Sequence, residues 1–357
     1  MSEQHDNSQI EPQSGDSPSL DPHVRARAIM EGTTRDLSYP PSPEALVVPV
    51  YDNHTHLEIA DGENPMHYRE HLDRASAVGV RGVVQVGTDV LTSRWSAAVA
   101  AREPRVLAAV AIHPNEAPAL AEAGELDAAL AVISELAAQP RVVAIGETGL
   151  DYYRTEPGRG RDVQLAAFEA HIAIAKEHGL ALQIHDREAH DDIVATLLRV
   201  GPPEKVVFHC FSGGIELASI CAERGWYASF AGTVTFKSAR TLREALDVLP
   251  RSLLLVETDA PFLTPDPYRG RPNGPYLLPF TVRAIADHLG TDASMLAAQL
   301  SSNTELVYGS WDANPVAAPG DPWAAQELPG DPGDLADLDA ISGALPDHYP
   351  GERGTPA

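Results

Sequence analysis

Eight short apolar runs, separated by longer Ala-rich amphipathic stretches, constrain this chain more than any other feature. They are "LVVPVYD" (46 to 52), "VRGVVQVG" (80 to 87), "RVLAAVAIH" (105 to 113), "RVVAIGE" (141 to 147), "LALQIH" (180 to 185), "KVVFHCF" (205 to 211), "WYASFAG" (226 to 232) and "SLLLVETD" (252 to 259). Most are continuous rather than alternating, as parallel strands covered on both faces require. The intervening segments have room for a crossover helix each. "PMHYREHLDRASAVG", "RDVQLAAFEAHIAIAKEHG" and "KSARTLREALDVLP" are helix candidates, the second with apolar positions at Leu165, Phe168, Ile172 and Ala175. Gly79, Gly179 and Gly225 stand where helices should end before the next strand. Eight β-then-α units in about 260 residues match a closed (β/α)8 TIM barrel. An open doubly wound sheet would need a glycine-rich phosphate turn after the first strand, and neither G-x-G-x-x-G there nor a P-loop is present.

The ends differ from the middle. Residues 1 to 46 are rich in Ser, Pro, Asp and Gln, and residues 312 to 357 repeat combinations such as "LPGDPGDLADLDA". Both read as disordered acidic tails flanking a barrel domain over residues 47 to 311. The formal charge is −25, of which the tails carry −5 and −8, so the barrel keeps −12. An anionic substrate therefore needs local help from metals or arginines rather than a global field. Two cysteines, Cys210 and Cys221, match no zinc ribbon and point to a reducing compartment. No signal-like stretch or membrane-length apolar run occurs. A monomeric cytoplasmic protein without membrane association is expected.

In a (β/α)8 barrel the working face lies at the C-terminal ends of the strands. Here the first run ends in His54 and His56, the fourth in Glu147, the fifth in His185, the sixth in His209 and the eighth in Asp259. Residues i and i+2 share a side of a strand, so both His54 and His56 can aim inward. Taken singly, His185 and His209 read as ordinary solvated side chains, "GETGLD" as a loop and "ETDAP" as a turn. Independent polar residues would not all be His, Asp or Glu at the same end of five strands. Four histidines and two carboxylates exceed what one tetrahedral ion with an open position needs, which favours two ions, with a carboxylate able to bridge them.

In order along the chain, "DNHTHLE", "AIHPNEA", "IGETGLDYYR", "QIHDREAHDD", "FHCFSGG", "ETDAPFLTP", "YRGRPNGP" and "SSNTELVYG" resemble the successive motifs of the TatD-type metal-dependent deoxyribonucleases, members of the amidohydrolase-like metallohydrolase barrels. The resemblance covers roughly residues 47 to 310. It implies a 3′ to 5′ exonuclease on single-stranded DNA with two divalent ions (Mg, Mn or Zn). His54, His56 and Asp259 would hold the first ion and His185 and His209 the second, with Glu147 bridging. His113, in the Gly-x-His-Pro position although Ala111 replaces the usual Gly, would lie near substrate. Arg187 and Arg271 would meet phosphate or hold the loops around it, and the "RGRPNGP" loop departs from the common "RGKRNEP". Asp259 is expected to orient and deprotonate the attacking water while Glu147 fixes the ion pair. Arg154 is a further candidate phosphate ligand, Tyr152 and Tyr153 could stack on a base, and Arg159 and Arg161 read as solvated loop charges. The rivals are hydrolysis of a lactone, amide or phosphotriester, and a non-enzymatic metal-binding protein. The first is disfavoured because many such sites bridge their metals with a carboxylated lysine closing strand 4, and none of Lys176, Lys205 and Lys237 lies there.

Overall fold

A computed structural model describes residues 23–27 and 35–312. Eight strands form the barrel wall: β1 (Val50–Thr55), β2 (Val80–Val86), β3 (Val106–Val110), β4 (Val142–Asp151), β5 (Ala181–Arg187), β6 (Val206–Phe208), β7 (Tyr227–Phe230) and β8 (Leu254–Val256). Each pairs in parallel with its neighbour in sequence, from β1 through to β8. The helices between them are α1 (Tyr68–Ala77), α2 (Val90–Ala100), α3 (Ala117–Ala123), α4 (Leu126–Ala137), α5 (Arg159–His178), α6 (His190–Val200), α7 (Ile215–Arg224) and α8 (Arg240–Val248). After β8 come α9 (Leu278–His288) and α10 (Ala293–Tyr308). The expected barrel is present, nearly closed.

The strand boundaries differ from the sequence expectation in both directions: β3, β6, β7 and β8 end before their apolar runs do, whereas β1, β4 and β5 run past theirs. Pro49 has no N–H to give a ladder, so β1 starts at Val50 rather than residue 46 and continues through the polar "DNHT". The fourth run was expected to end at Glu147, but β4 continues to Asp151, which places Glu147 inside the strand. Apolar character marks where a strand is covered by helices. At the working end of β1, β4 and β5 the same backbone carries polar side chains, and the apolar run stops before the strand does.

Alternation sorts the strand residues into two layers. Val84 and Val86 of β2, Leu107 and Ala109 of β3, and Leu255 of β8 fill the interior. Val83, Val106 and Ala108 face the helices, as do Phe168, Ile172 and Ala175 from α5. Those three positions are among the four expected from the helical period, and Leu165 packs at the edge of the same layer. The glycines expected to end helices all adopt positive φ. At the N-terminal mouth Trp311 stacks on Tyr51 with ring centroids 4.1 Å apart and donates its indole N–H to the Arg105 carbonyl at 3.0 Å.

The seam between β1 and β8 is not a ladder. A single bridge joins Thr55 to Ala260, and side chains and two backbone hydrogen bonds complete the seam. Asn53 donates Nδ2 to the Val256 carbonyl at 2.7 Å, and Asp52 accepts from the Thr258 amide at 2.9 Å. The His56 amide reaches the Ala260 carbonyl at 2.7 Å and the Asp259 amide the His54 carbonyl at 2.9 Å. Closure of the barrel is thus what brings Asp259 against the two histidines. Burial pushes the Asp52 carboxyl up to about 7, against hydrogen bonds from Thr258 and His54 that favour its ionised form.

Within the N-terminal stretch assigned to a tail, residues 23–27 and 35–46 have defined places on the barrel. Arg25 and Ala26 pair in parallel with Ile59 and Ala60. The rest of that stretch, and the C-terminal stretch beyond residue 312, lie outside the described residues. Among the described residues no helix is long and apolar enough to cross a membrane. Replacing Asn53 by Ala strands a buried carbonyl at the seam; urea unfolding should show a loss of roughly 1 to 3 kcal/mol, and an unchanged midpoint would contradict this role.

Candidate metal centre

The strand ends deliver all six expected groups to one buried cluster. The Nε2 atoms of His54 and His56 lie 3.2 Å apart. Glu147 Oε2 is 3.6 and 3.7 Å from them, and Asp259 Oδ1 is 3.8 and 3.5 Å. Four donor atoms around an ion at about 2.1 Å would be spaced about 3.4 Å apart, so this group already approximates a tetrahedron of ligands. His54, His56 and Asp259 form one potential divalent-metal site.

The other oxygen of Glu147 faces a second group. Oε1 is 2.6 Å from His185 Nδ1, 2.8 Å from His209 Nε2 and 3.4 Å from His113 Nε2. One carboxylate thus turns each of its oxygens toward a different set of imidazoles. Gly149 allows β4 to press this close to β5: its φ is +143°, and a Cβ there would lie 2.1 Å from the His185 carbonyl.

His113 enters the second cluster, yet its hydrogen bonds separate it from the other histidines. Its Nδ1 accepts the Asn115 backbone N–H at 3.1 Å, so the neutral ring carries its proton on Nε2. Burial pushes His113 down to about 4, which keeps it neutral near pH 7. A protonated Nε2 donates rather than ligates, which accords with the expected place beside substrate.

Partners behind three of the ligands take the ring proton on the far nitrogen, which leaves the near nitrogen facing the cluster. His56 Nδ1 lies 2.9 Å from the Val86 carbonyl, so its proton belongs there and Nε2 is left as a donor to metal. His209 Nδ1 faces Glu257 Oε1 at 3.2 Å, and that oxygen also accepts the Cys210 amide at 2.7 Å. His185 Nε2 lies 3.4 Å from Asp151 Oδ2, which Asn115 holds at 3.0 Å. Glu257 and Asp151 went unrecognised in the sequence. The available signal was a second acid in each motif, Glu257 two residues before Asp259 and Asp151 four after Glu147.

Electrostatics agree with a site built for cations. Burial works against protonation of His56, yet Asp259, Glu58 and Glu147 raise it above its ordinary value. Burial likewise opposes protonation of His209, but Glu147 and Glu257 raise it well above. Against burial, Asp151 and Glu147 raise His185. Burial would raise Glu147, but His209 and His113 hold it well below the usual carboxylate range. His54 is lowered by burial and by His209, on whose ring it stacks at 3.9 Å. His54 Nε2 and His185 Nδ1 are the ring atoms that face the cluster. Nitrogen and oxygen donors at these spacings fit two divalent ions, and protons occupy part of that role otherwise.

The cluster forms the floor of a cavity of about 270 Å³. Arg154 and Arg187 line it. Arg187 lies over the Tyr153 ring at 4.1 Å, while the Tyr152 hydroxyl is engaged by Asp192 at 2.6 Å. Arg271 is not brought to the cavity; its guanidinium donates to the Ser38 carbonyl at 2.9 Å and the Tyr39 carbonyl at 3.0 Å. Arg161, expected to be solvated, instead donates to the Thr155 carbonyl at 2.8 Å and covers the Tyr152 ring at 4.0 Å, whereas Arg159 is exposed. Neither Lys176, Lys205 nor Lys237 lines the cavity. Cys210, Asp259 and Leu263 on its wall all hold positive φ, a strained arrangement for non-glycine residues at a working surface.

A nearly closed parallel barrel carrying such a cluster at its C-terminal face defines a metal-dependent hydrolase of the amidohydrolase-like type. The chain belongs to the TatD family: the family described as TatD related DNase matches residues 51–309. An uncharacterized metal-dependent hydrolase TatD from Mycobacterium tuberculosis is 44% identical over 263 residues, covering 72% of this chain and 97% of the relative. A 3′-5′ ssDNA/RNA exonuclease TatD from Escherichia fergusonii is 36% identical, covering 67% of this chain and 90% of the relative. The crystal structure of YJJV, a TatD homolog from Escherichia coli K12, superposes with a TM-score of 0.66 at 26% identity, over 73% of this chain and 98% of that one.

Two outcomes are expected of the purified protein. His113→Gln should retain two ions per chain by elemental analysis and His209→Gln should lose one; loss of an ion in the His113 variant would make it a ligand. The raised histidines favour folding of the metal-free protein below pH 6.5, and that contribution is lost as pH rises through their higher folded-state values. Chelator should therefore lower the melting temperature more at alkaline than at mildly acidic pH, and a gap independent of pH would contradict the assignment.

Proposed function

We propose that this chain hydrolyses phosphodiester bonds in single-stranded DNA, releasing nucleotides in the 3′ to 5′ direction. The observation that carries this reading is Glu147 set between two clusters of imidazoles on the floor of a cavity walled by Arg154 and Arg187. The activity named for relatives such as the Escherichia fergusonii exonuclease supports the choice of substrate.

His54, His56 and Asp259 would hold one ion and His185 and His209 the other, with Glu147 between them. When bound, two such ions supply a lowered water pKa and neutralise charge on phosphoryl oxygens. Every other part of the reaction falls to side chains. Asp259 keeps 14% of its side chain exposed toward the cavity, more than any other member of its cluster. It is thus the carboxylate placed to orient a water and take its proton. Glu147, buried and ionised, fixes the distance between the two clusters and stays out of proton transfer. Arg187 and Arg154 hold the phosphate by charge-assisted hydrogen bonds, which position as well as attract it. His113 donates from Nε2 to a phosphate oxygen or to the departing oxygen. The Tyr153 ring, 38% exposed beneath Arg187, offers a stacking face to a base.

The test uses end-labelled single-stranded DNA with Mg²⁺, Mn²⁺ or Zn²⁺, beside RNA, a lactone and a phosphotriester. Wild type should shorten the DNA from its 3′ end, and Asp259→Ala should lower the rate by roughly 10²- to 10⁴-fold while its circular dichroism spectrum stays that of the folded barrel. Faster turnover of the lactone or phosphotriester, or full activity in the Asp259 variant, would overturn the reading.

A further inference from the structure

Residues before the family match contribute a wall to the cavity. The match begins at residue 51, yet Arg27 lines the cavity together with Asp259, Phe262 and Leu263. Its Nη1 donates to the Pro261 carbonyl at 2.7 Å and to Asp61 at 3.2 Å, and its guanidinium carbon sits 4.9 Å above the Phe262 ring. A planar cation is thereby held over the loop that carries Asp259, across the cavity from Arg154 and Arg187.

The segment bearing Arg27 is fastened at several points. Arg25 pairs with the fully buried Glu58 at 2.7 Å, and Glu58 in turn accepts from Gln85 at 2.7 Å. Arg35 grips Asp61 at 2.8 Å and donates to the Gly270 carbonyl at 2.6 Å. The Arg27 amide adds a backbone bond to the Ala60 carbonyl at 2.9 Å. Arginines at 25, 27 and 35 are the whole basic complement of residues 1 to 46, and all three are spent on this side of the barrel mouth. In a chain of formal charge −25, a polyanion is repelled at long range, so cations at the mouth decide whether it stays.

From these contacts we infer that the N-terminal arm is part of the substrate site, and that Arg27 is a positioning residue that binds a phosphate on the Asp259 side of the cavity. The inference rests on the phosphodiesterase reading for its substrate, while the anion site itself stands on the geometry. Arg27 holds the Pro261 carbonyl and the Asp61 carboxylate, so its loss acts on substrate retention and leaves the chemical step alone.

The experiment compares Arg27→Gln and Arg27→Lys in the full-length, metal-loaded protein, using a short single-stranded oligonucleotide for kinetics and inorganic phosphate for calorimetric binding. Arg27→Gln should raise KM roughly tenfold or more, the size of a lost hydrogen bond to a charged group, with kcat within about twofold, and should weaken phosphate binding to match. Arg27→Lys keeps the charge and should recover most of both. An unchanged KM, a fall confined to kcat, or a Lys variant as impaired as the Gln variant would overturn the inference; the last would assign Arg27 to holding the loop of Pro261 to Leu263. If wild type cleaves no DNA, the substrate reading fails and phosphate binding alone decides. Weaker binding in Arg27→Gln then supports the anion site, and equal binding overturns it.

Discussion

One buried carboxylate organises this protein. Glu147 presents Oε2 to His54 and His56 and Oε1 to His185 and His209, so two groups of ligands from different strands share a single anchor. A lone carboxylate at this depth would be driven to neutrality, and only positive charge on both sides keeps it ionised. Much of the surrounding architecture serves that requirement. Gly149 lets β4 lie against β5, the carboxylates of Glu257 and Asp151 back the outer nitrogens of His209 and His185, and Val86 sets the tautomer of His56. The seam between β1 and β8, held by Asn53 and Asp52, determines how near Asp259 comes to the histidines.

Under the proposed function, an acidic protein acting on a polyanion separates two tasks that a basic nuclease combines. Its overall field does not gather substrate, so recognition is confined to the mouth, where arginines are held by carbonyls and carboxylates of the loops. Arg154 and Arg187 come from the barrel itself. Arg27 comes from residues clamped beside the loop that follows β1, and Arg271 acts from the barrel to hold Ser38 and Tyr39.

The fold and the metal cluster were legible because both follow from local rules. Continuous apolar runs report strands covered on two faces, and metal chemistry admits few side chains, so His, Glu and Asp at strand ends stand out. What stayed hidden was set by contacts distant in sequence. The ends of β1 and β4 could not be read because polarity there reflects the site, not solvent. The role of Asn53 depends on Val256, which only the closed barrel brings opposite it. Motif position placed Arg271 near phosphate, but a long side chain swings toward whichever acceptors the tertiary fold supplies, and these were Ser38 and Tyr39. His113 shows the reverse: its motif position was legible, and the hydrogen bond from Asn115 that sets its tautomer was not.

The central claim is that Glu147 holds two ions apart within one site. Anomalous diffraction at the metal edge from crystals loaded with manganese or zinc tests it directly. The account predicts two peaks flanking the Glu147 carboxylate, one against His54, His56 and Asp259 and the other against His185 and His209. A single peak at saturating metal, or a second ion bound to His113 in place of His209, would contradict it.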